Sequence, residues 1–229
     1  MVGCDLLPSA DAAAVKSASP ELFINTLCIG LTRNDGKPMS PPDAGYRCYA
    51  ELAQAQAEGT DFAVCIVARK HSSVAVLAPH GGGIESGTSE FARAIAGEEF
   101  NLYLFEGIRE SRNYAELHLT SHRFDEPRCL ALVSRCDHVL AVHGCRGDER
   151  QVLLGGLDES LKGRIARAIG AVGIEARLTG HRYPAVDPRN ICNRGQRGAG
   201  VQIEITSSLR LKELDQALVA AIRSVLLGL

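Results

Sequence analysis

Val74-Ala-Val-Leu-Ala-Pro-His80-Gly-Gly-Gly-Ile-Glu85-Ser-Gly-Thr-Ser-Glu-Phe-Ala-Arg-Ala-Ile95 is the stretch on which the fold turns. An unbroken apolar run reaches a proline and then delivers a histidine, three glycines and a carboxylate, after which a helical spacing of apolar residues begins. The pattern predicts a buried strand over 74–79, a loop, and a helix over 88–96 with Thr88 as candidate cap and Gly97 as terminator. A second apolar run, His138-Val-Leu-Ala-Val-His143-Gly144, also ends in histidine.

Outward from these two runs, strands are expected at Phe62–Ala68, Leu102–Phe105, Gln151–Leu154, Ala176–Thr179 and Gly200–Thr206, and a half-buried one at Glu116–Ser121 from its polar and apolar alternation. Helices are expected from an Asp43 cap to Glu58, from Asp125 to Cys136, from an Asp158 cap to Val172 before Gly173, and over 210–227. Residues 180–199 read as a long loop and 22–31 as a strand or short helix. Strands alternating with helices of these lengths predict an α/β fold: one domain over 21–229, a mostly parallel mixed sheet with helices on both faces. Residues 1–20, rich in Ala, Ser and Pro, read as a loosely ordered N-terminal arm.

The chain has 229 residues, 45% of them hydrophobic, enough for one substantial core. Its net charge of −2, 5% aromatics and lack of Trp argue against nucleic-acid binding. No apolar run approaches the roughly 18–20 residues of a membrane span, and the first 25 residues lack the pattern of a secretory signal. A cytoplasmic, monomeric protein is expected, released by lysis if phage-encoded. The eight cysteines, none spaced C-x-x-C, read as free thiols.

In open α/β sheets ligands bind beyond the carboxyl ends of the strands. His80 and His143 both stand where an apolar strand stops, which would bring their imidazoles to one rim. Glu85 can fold back across Gly81–Gly83 to join them, giving three zinc ligands with a fourth position open. The competing reading of His-Gly-Gly-Gly is an esterase oxyanion loop, but that chemistry needs a G-x-S-x-G nucleophile elbow, and none is present. In Val201-Gln-Ile-Glu-Ile205, Gln202 and Glu204 share one face. A carboxylate on an apolar strand needs a partner or a task; Glu204 is the candidate general base, with a salt bridge to arginine as the plainer alternative. The 180–199 loop supplies Arg194 as candidate for an oxyanion or a substrate carboxylate, with Arg189, Asn190, Asn193 and, from elsewhere, His118 as candidate substrate contacts.

Taken together, Ala78–Glu90, Tyr103–Gly107, Leu117–Ser121 with Phe124–Pro127, Val142–Gly144, Asn190–Gly195 and Gly200–Glu204 resemble the poly-γ-glutamate hydrolase family of phage and bacterial origin. The resemblance runs from about Gly45 to the C-terminus. Members often carry a phage replication label, for which this sequence offers no physical support. The resemblance implies a zinc-carboxypeptidase-like fold and one Zn2+ per chain held by His80, Glu85 and His143, with Glu204 as base. The His-to-Glu spacing of five is longer than in carboxypeptidases. The resemblance also implies an anionic substrate joined by γ-glutamyl amides, a polymer or a peptide. The expected function is therefore zinc-dependent amide hydrolysis, set against a protein that binds a glutamyl polymer or peptide end without turnover, or a hydrolase of another acyl-amino acid.

Overall fold

The structure, a computed structural model, describes residues 45–229. The arm at 1–20, the element at 22–31, the Asp43 cap and two of the eight cysteines lie outside the described residues. From Tyr46 onward the chain builds one seven-stranded sheet in the order β1-β3-β2-β4-β7-β5-β6. The strands are β1 (Phe62–Val67), β2 (Val74–Gly82), β3 (Asn101–Gly107), β4 (His138–Cys145), β5 (Gln151–Gly155), β6 (Glu175–Arg177) and β7 (Val201–Thr206). The central set β3-β2-β4-β7 is parallel, β1 and β5 run antiparallel to their inner neighbours, and β6 runs parallel to β5. This is the mixed, mostly parallel α/β sheet expected.

Both faces are covered, which is why β2 and β4 read as continuous apolar runs rather than alternating ones. On one face Val74, Val76, Ala78, Leu140, Val142, Ile203 and Ile205 pack beneath α2 (Thr88–Ala96), α5 (Glu159–Ala171) and α7 (Gln216–Leu226). On the other, Ala75, Leu77, Tyr103, Phe105, Val139 and Ala141 pack beneath α1 (Tyr49–Ala55), α3 (Asn113–Leu117) and α4 (Pro127–Val133). Each fully buried Leu, Ile or Phe contributes about 1.5–3 kcal/mol relative to exposure.

Short-range chemistry sets the helix ends. Asp158 accepts from Leu161 N at 3.0 Å and Asp215 from Leu218 N at 3.0 Å, while Glu126 accepts from Cys129 N at 2.8 Å with Pro127 opening α4. Thr88 is the first residue of α2 rather than its cap. Gly87 occupies the cap position, and the Thr88 hydroxyl turns back to the carbonyls of His80 and Glu85.

Three expected elements differ. The helix expected from Asp43 to Glu58 spans only Tyr49–Ala55, with Cys48, in an extended conformation, at its N-cap position. Residues 116–121 are not a strand: Asn113 accepts from Arg109 N and donates to Arg109 O, starting the turn of α3, and Glu116 pairs with Arg112 one turn away. Leu117 and Leu119, two apart, are both buried because a helix end and an extended segment meet there. The single C-terminal helix expected over 210–227 is two, α6 (Ser207–Arg210) and α7, separated where the chain re-caps at Asp215. Among the described residues no helix is long and apolar enough to cross a membrane, and Cys65, Cys129, Cys136, Cys145 and Cys192 are free thiols.

Candidate metal centre

Strand parity alone would separate the two histidines. Val74 pairs with His138 and Leu77 with Ala141, so a regular β2 would put His80 on the face of Val74, Val76 and Ala78, under α2. His143, by alternation with Val139 and Ala141, faces the other way. The pairing of β2 with β3 shifts between Ala78 and Gly81: Ala78 lies opposite Leu104 and Gly81 opposite Glu106, so two residues of β2 span one of β3. This bulge turns His80 to the α4 side, where its ring meets Phe124 edge-on at 6.5 Å. Pro79, which has no N–H to give a ladder, sits within it, a position strands tolerate.

The glycines after His80 are required by close packing. Gly82 has φ +59°, and a Cβ there would come within 2.5 Å of the Gly107 carbonyl, while one at Gly81 or Gly83 would collide with Ser89 or Asn113. The turn returns Glu85 to the site, and its backbone N–H bonds the His80 carbonyl at 2.9 Å.

His80, Glu85 and His143 each present one donor atom within a 4.8 Å group. His80 Nδ1 stands 3.1 Å from His143 Nδ1 and 3.0 Å from Glu85 Oε1, and His143 Nδ1 stands 3.6 Å from Glu85 Oε2. Ligands held about 2.0–2.1 Å from a tetrahedral zinc ion lie about 3.3–3.4 Å apart; the two Nδ1 atoms already stand at about that separation, and the carboxylate presents one oxygen to each imidazole. The outer nitrogens are already engaged: His80 Nε2 meets the Leu119 carbonyl at 2.8 Å and His143 Nε2 meets Ser121 Oγ at 3.4 Å. A proton on each Nε2 leaves two Nδ1 lone pairs facing each other, an arrangement that a cation resolves and that fixes both tautomers. Glu85 Oε2 accepts from Gly144 N at 2.7 Å. Burial pushes the Glu85 carboxyl up, but the two imidazoles hold it well below the usual carboxylate range. The donor set fits zinc.

Glu204 lies opposite His143 in the β4–β7 register, on the same face. It is 95% buried, and burial, reinforced by the Glu85 charge, raises its pKa from 4.5 to about 8. Its salt-bridge alternative is absent: Glu204 forms no ion pair among the described residues. Gln202 Nε2 donates to Glu204 Oε1 at 2.9 Å, and Asn190 Nδ2 donates to Gln202 Oε1 at 3.0 Å, so a neutral relay orients the carboxyl.

These groups open into a cavity of about 1600 Å³ whose walls include Arg146, Arg177, Arg182 and Arg210 as well as His118, His122, Tyr183 and Asn190. That exceeds the 300–1,000 Å³ usual for a compact small-molecule pocket. His118 stacks on His80 with ring centroids 4.1 Å apart and on Tyr114 at 4.6 Å, with Nε2 3.8 Å from Glu85 Oε1. Burial, with the neighbouring His80, depresses its pKa to about 3, so it stands neutral.

The long loop divides differently from expectation. Asn190 is in the cavity wall, but Arg194 is exposed and outside it, and Arg189 points into solvent, paired with Asp187 at 2.8 Å. Neither arginine stands at the cluster, because the 3₁₀ turn Ile191–Asn193 buries its apolar side and leaves both flanking arginines outward. Asn193 is a pin: its amide donates to the Ala185 and Asp187 carbonyls at 2.8 and 3.0 Å, and its oxygen accepts from Leu157 N and Gly200 N. It thereby holds Ala185, a wall residue, at φ +51°. Of the four arginines in the cavity wall, Arg182 comes from the 180–199 loop, and Arg210, which was not among the sequence candidates, follows the strand bearing Glu204, just beyond its carboxyl end.

The family model described as poly-gamma-glutamate hydrolase matches residues 46–222. The UPF0714 protein YndL of Bacillus subtilis (strain 168) is 36% identical over 167 residues, 72% of this chain; the match spans 65% of that curated relative's length. The solved structure of a bacteriophage poly-gamma-glutamate hydrolase superposes with a TM-score of 0.76 at 30% identity, covering 80% of this chain and 96% of that one. A zinc-free structure of YndL does so with a TM-score of 0.74 at 31% identity, covering 80% and 97%.

Proposed function

Because the chain belongs to the poly-γ-glutamate hydrolase family, we propose that it is a zinc-dependent hydrolase of γ-glutamyl amide bonds, acting on poly-γ-glutamate or γ-glutamyl peptides. The observation that carries this reading is the convergence of one donor atom each from His80, Glu85 and His143 within 4.8 Å, beside a buried Glu204 that has no ion-pair partner among the described residues. The zinc-free state named for the YndL structure supports zinc as the metal. One ion per chain is held by the three side chains.

When bound, zinc supplies a Lewis acid that polarises a carbonyl, acidifies water and favours Glu204 as carboxylate. The protein's own groups do the rest. Leu119 and Ser121 lock the imidazoles so that both Nδ1 atoms face inward. Glu204 Oε takes a proton from the attacking water and returns it to the leaving nitrogen, as a carboxyl whose pKa lies near neutrality can do in both directions. Gln202 keeps that carboxyl aimed while leaving it uncharged partners only. The arginines in the cavity wall offer a surface to a polyanion that the chain's net charge of −2 does not.

The test is metal analysis of the purified protein followed by incubation with γ-linked and α-linked polyglutamate and sizing of the products. Stoichiometric zinc and cleavage of the γ-linked chain alone are expected. A zinc-loaded protein that leaves both polymers intact would refute the substrate.

A further inference from the structure

Arg210 closes α6, the single turn that follows β7 directly. Its Nε donates to the Ile205 carbonyl at 3.2 Å, one Nη to the Cys145 carbonyl at 3.4 Å and the other to the Ser86 carbonyl. Those carbonyls belong to the residue after Glu204, the end of the strand bearing His143, and the residue after Glu85. The guanidinium is thus tied to the backbone beside three members of the centre. Gly144 makes room for it, because a Cβ there would collide with Nε and lie 2.5 Å from Cζ.

Arg210 is half-buried and lines the cavity. Three other partly buried arginines end on carboxylates, Arg109 on Asp61, Arg128 on Glu126 and Arg223 on Glu99, while Arg164, far from the cavity, ends on the Val225 and Gly228 carbonyls. Among the described residues no carboxylate ion-pairs with Arg210, although its charge is partly desolvated. Carbonyl dipoles orient a guanidinium without neutralising it, and the Glu85 and Glu204 carboxyls attract it only from beyond ion-pair distance, so its partly buried charge is incompletely compensated. Three of its five N–H groups are engaged, leaving two for a ligand.

Resting on the γ-glutamyl reading above, we propose that Arg210 binds the free α-carboxylate next to the scissile amide and so selects γ-linked over α-linked chains. In a γ-linked chain the carbon that bears the scissile nitrogen also carries a carboxylate. In an α-linked chain the free carboxylate sits at the end of a two-methylene side arm. A guanidinium pinned at a fixed distance from the centre reads that difference in length, and its planar fork suits a carboxylate.

The test compares a γ-linked glutamate oligomer with the same oligomer whose α-carboxylates are converted to carboxamides. Arg210→Gln is expected to raise KM about 10–100-fold for the carboxylate form, the range for a lost charge-assisted hydrogen bond, with a smaller change in kcat. Zinc content and the KM for the carboxamide form stay as in the wild type. Arg210→Lys keeps the charge but lacks the planar fork, and gives a rise selective for the carboxylate form even where Arg210→Gln does not fold. An equal change for both oligomers, or none, overturns the inference while wild-type cleavage leaves the proposed function standing. A wild type that cleaves neither oligomer overturns both.

Discussion

Replacing Glu204 with glutamine separates the role of that carboxyl in catalysis from its cost to the fold. In the metal-free protein the folded-state pKa is about 8 against an ordinary 4.5. The folded state therefore holds a proton that the unfolded chain has released between those values. The resulting stabilisation is fully present below about pH 4.5 and is lost as pH rises through about 8. Glutamine has the same shape, keeps an acceptor for Gln202 and never ionises. The variant and the wild type should thus be alike in stability near pH 4.5 and diverge above it in favour of the variant. The gap from 4.5 to about 8, at about 1.4 kcal/mol per pH unit, bounds the difference at about 5 kcal/mol, and about 2–5 kcal/mol is expected at pH 9. Urea denaturation in the presence of a chelator, at pH 5 and pH 9, reads it directly as a pH-dependent separation of midpoints at constant slope. Zinc narrows the separation at pH 9, since a dication favours the charged carboxyl. The same variant should retain zinc and lose about 10²–10⁴-fold in kcat. A stability difference that is the same at both pH values would refute the burial argument, and full activity would refute the role as base.

Other expectations follow from the same geometry. His80→Ala should abolish stoichiometric zinc binding by metal analysis; retention of a full equivalent would dissolve the three-ligand site. Gly82→Ala should cost about 2–4 kcal/mol in denaturation, because alanine is strained at φ +59° and its Cβ meets the Gly107 carbonyl; a loss under about 0.5 kcal/mol would mean the turn can relax. Asn193→Ala should cost about 2–4 kcal/mol by orphaning the buried groups it bonds, whereas exposed Arg194→Ala should stay within about 0.5 kcal/mol and about twofold in kcat/KM. Equal effects at the two positions would contradict their assignment as pin and bystander.

The elements whose apolar run or cap is strong were legible before the structure: β2, β4, β7 and α5 stand within a few residues of expectation. The donor residues were legible as types at strand ends, and Glu204 by its intrusion into an apolar strand. Their convergence was not. Simple parity puts His80 and His143 on opposite faces, and only the register shift after Ala78, hinted at by Pro79, reconciles them. Residues 116–121 misled because two leucines two apart look the same in a strand and at a helix end. Arg194 attracted attention through its company of glycines and asparagines, yet the packing of Ile191 and Cys192 turns it outward. Arg210 escaped notice because 210–227 reads as one helix, of which it is merely the first residue. Its sole local cue is position, four residues past the strand that carries the base.

The bulge in β2 makes the centre depend on counting as much as on composition. Closing the bulge at constant length would leave every donor in the sequence, yet it would swing the first imidazole beneath α2, among Phe91 and Ile95, whereas deleting Pro79 would restore an unbroken ladder and keep that imidazole on the face of Ala75 and Leu77. Among relatives of this fold, a single-residue gap at this point should therefore go with an unbroken ladder and a kept metal site, while a chain of this length needs the bulge to keep it.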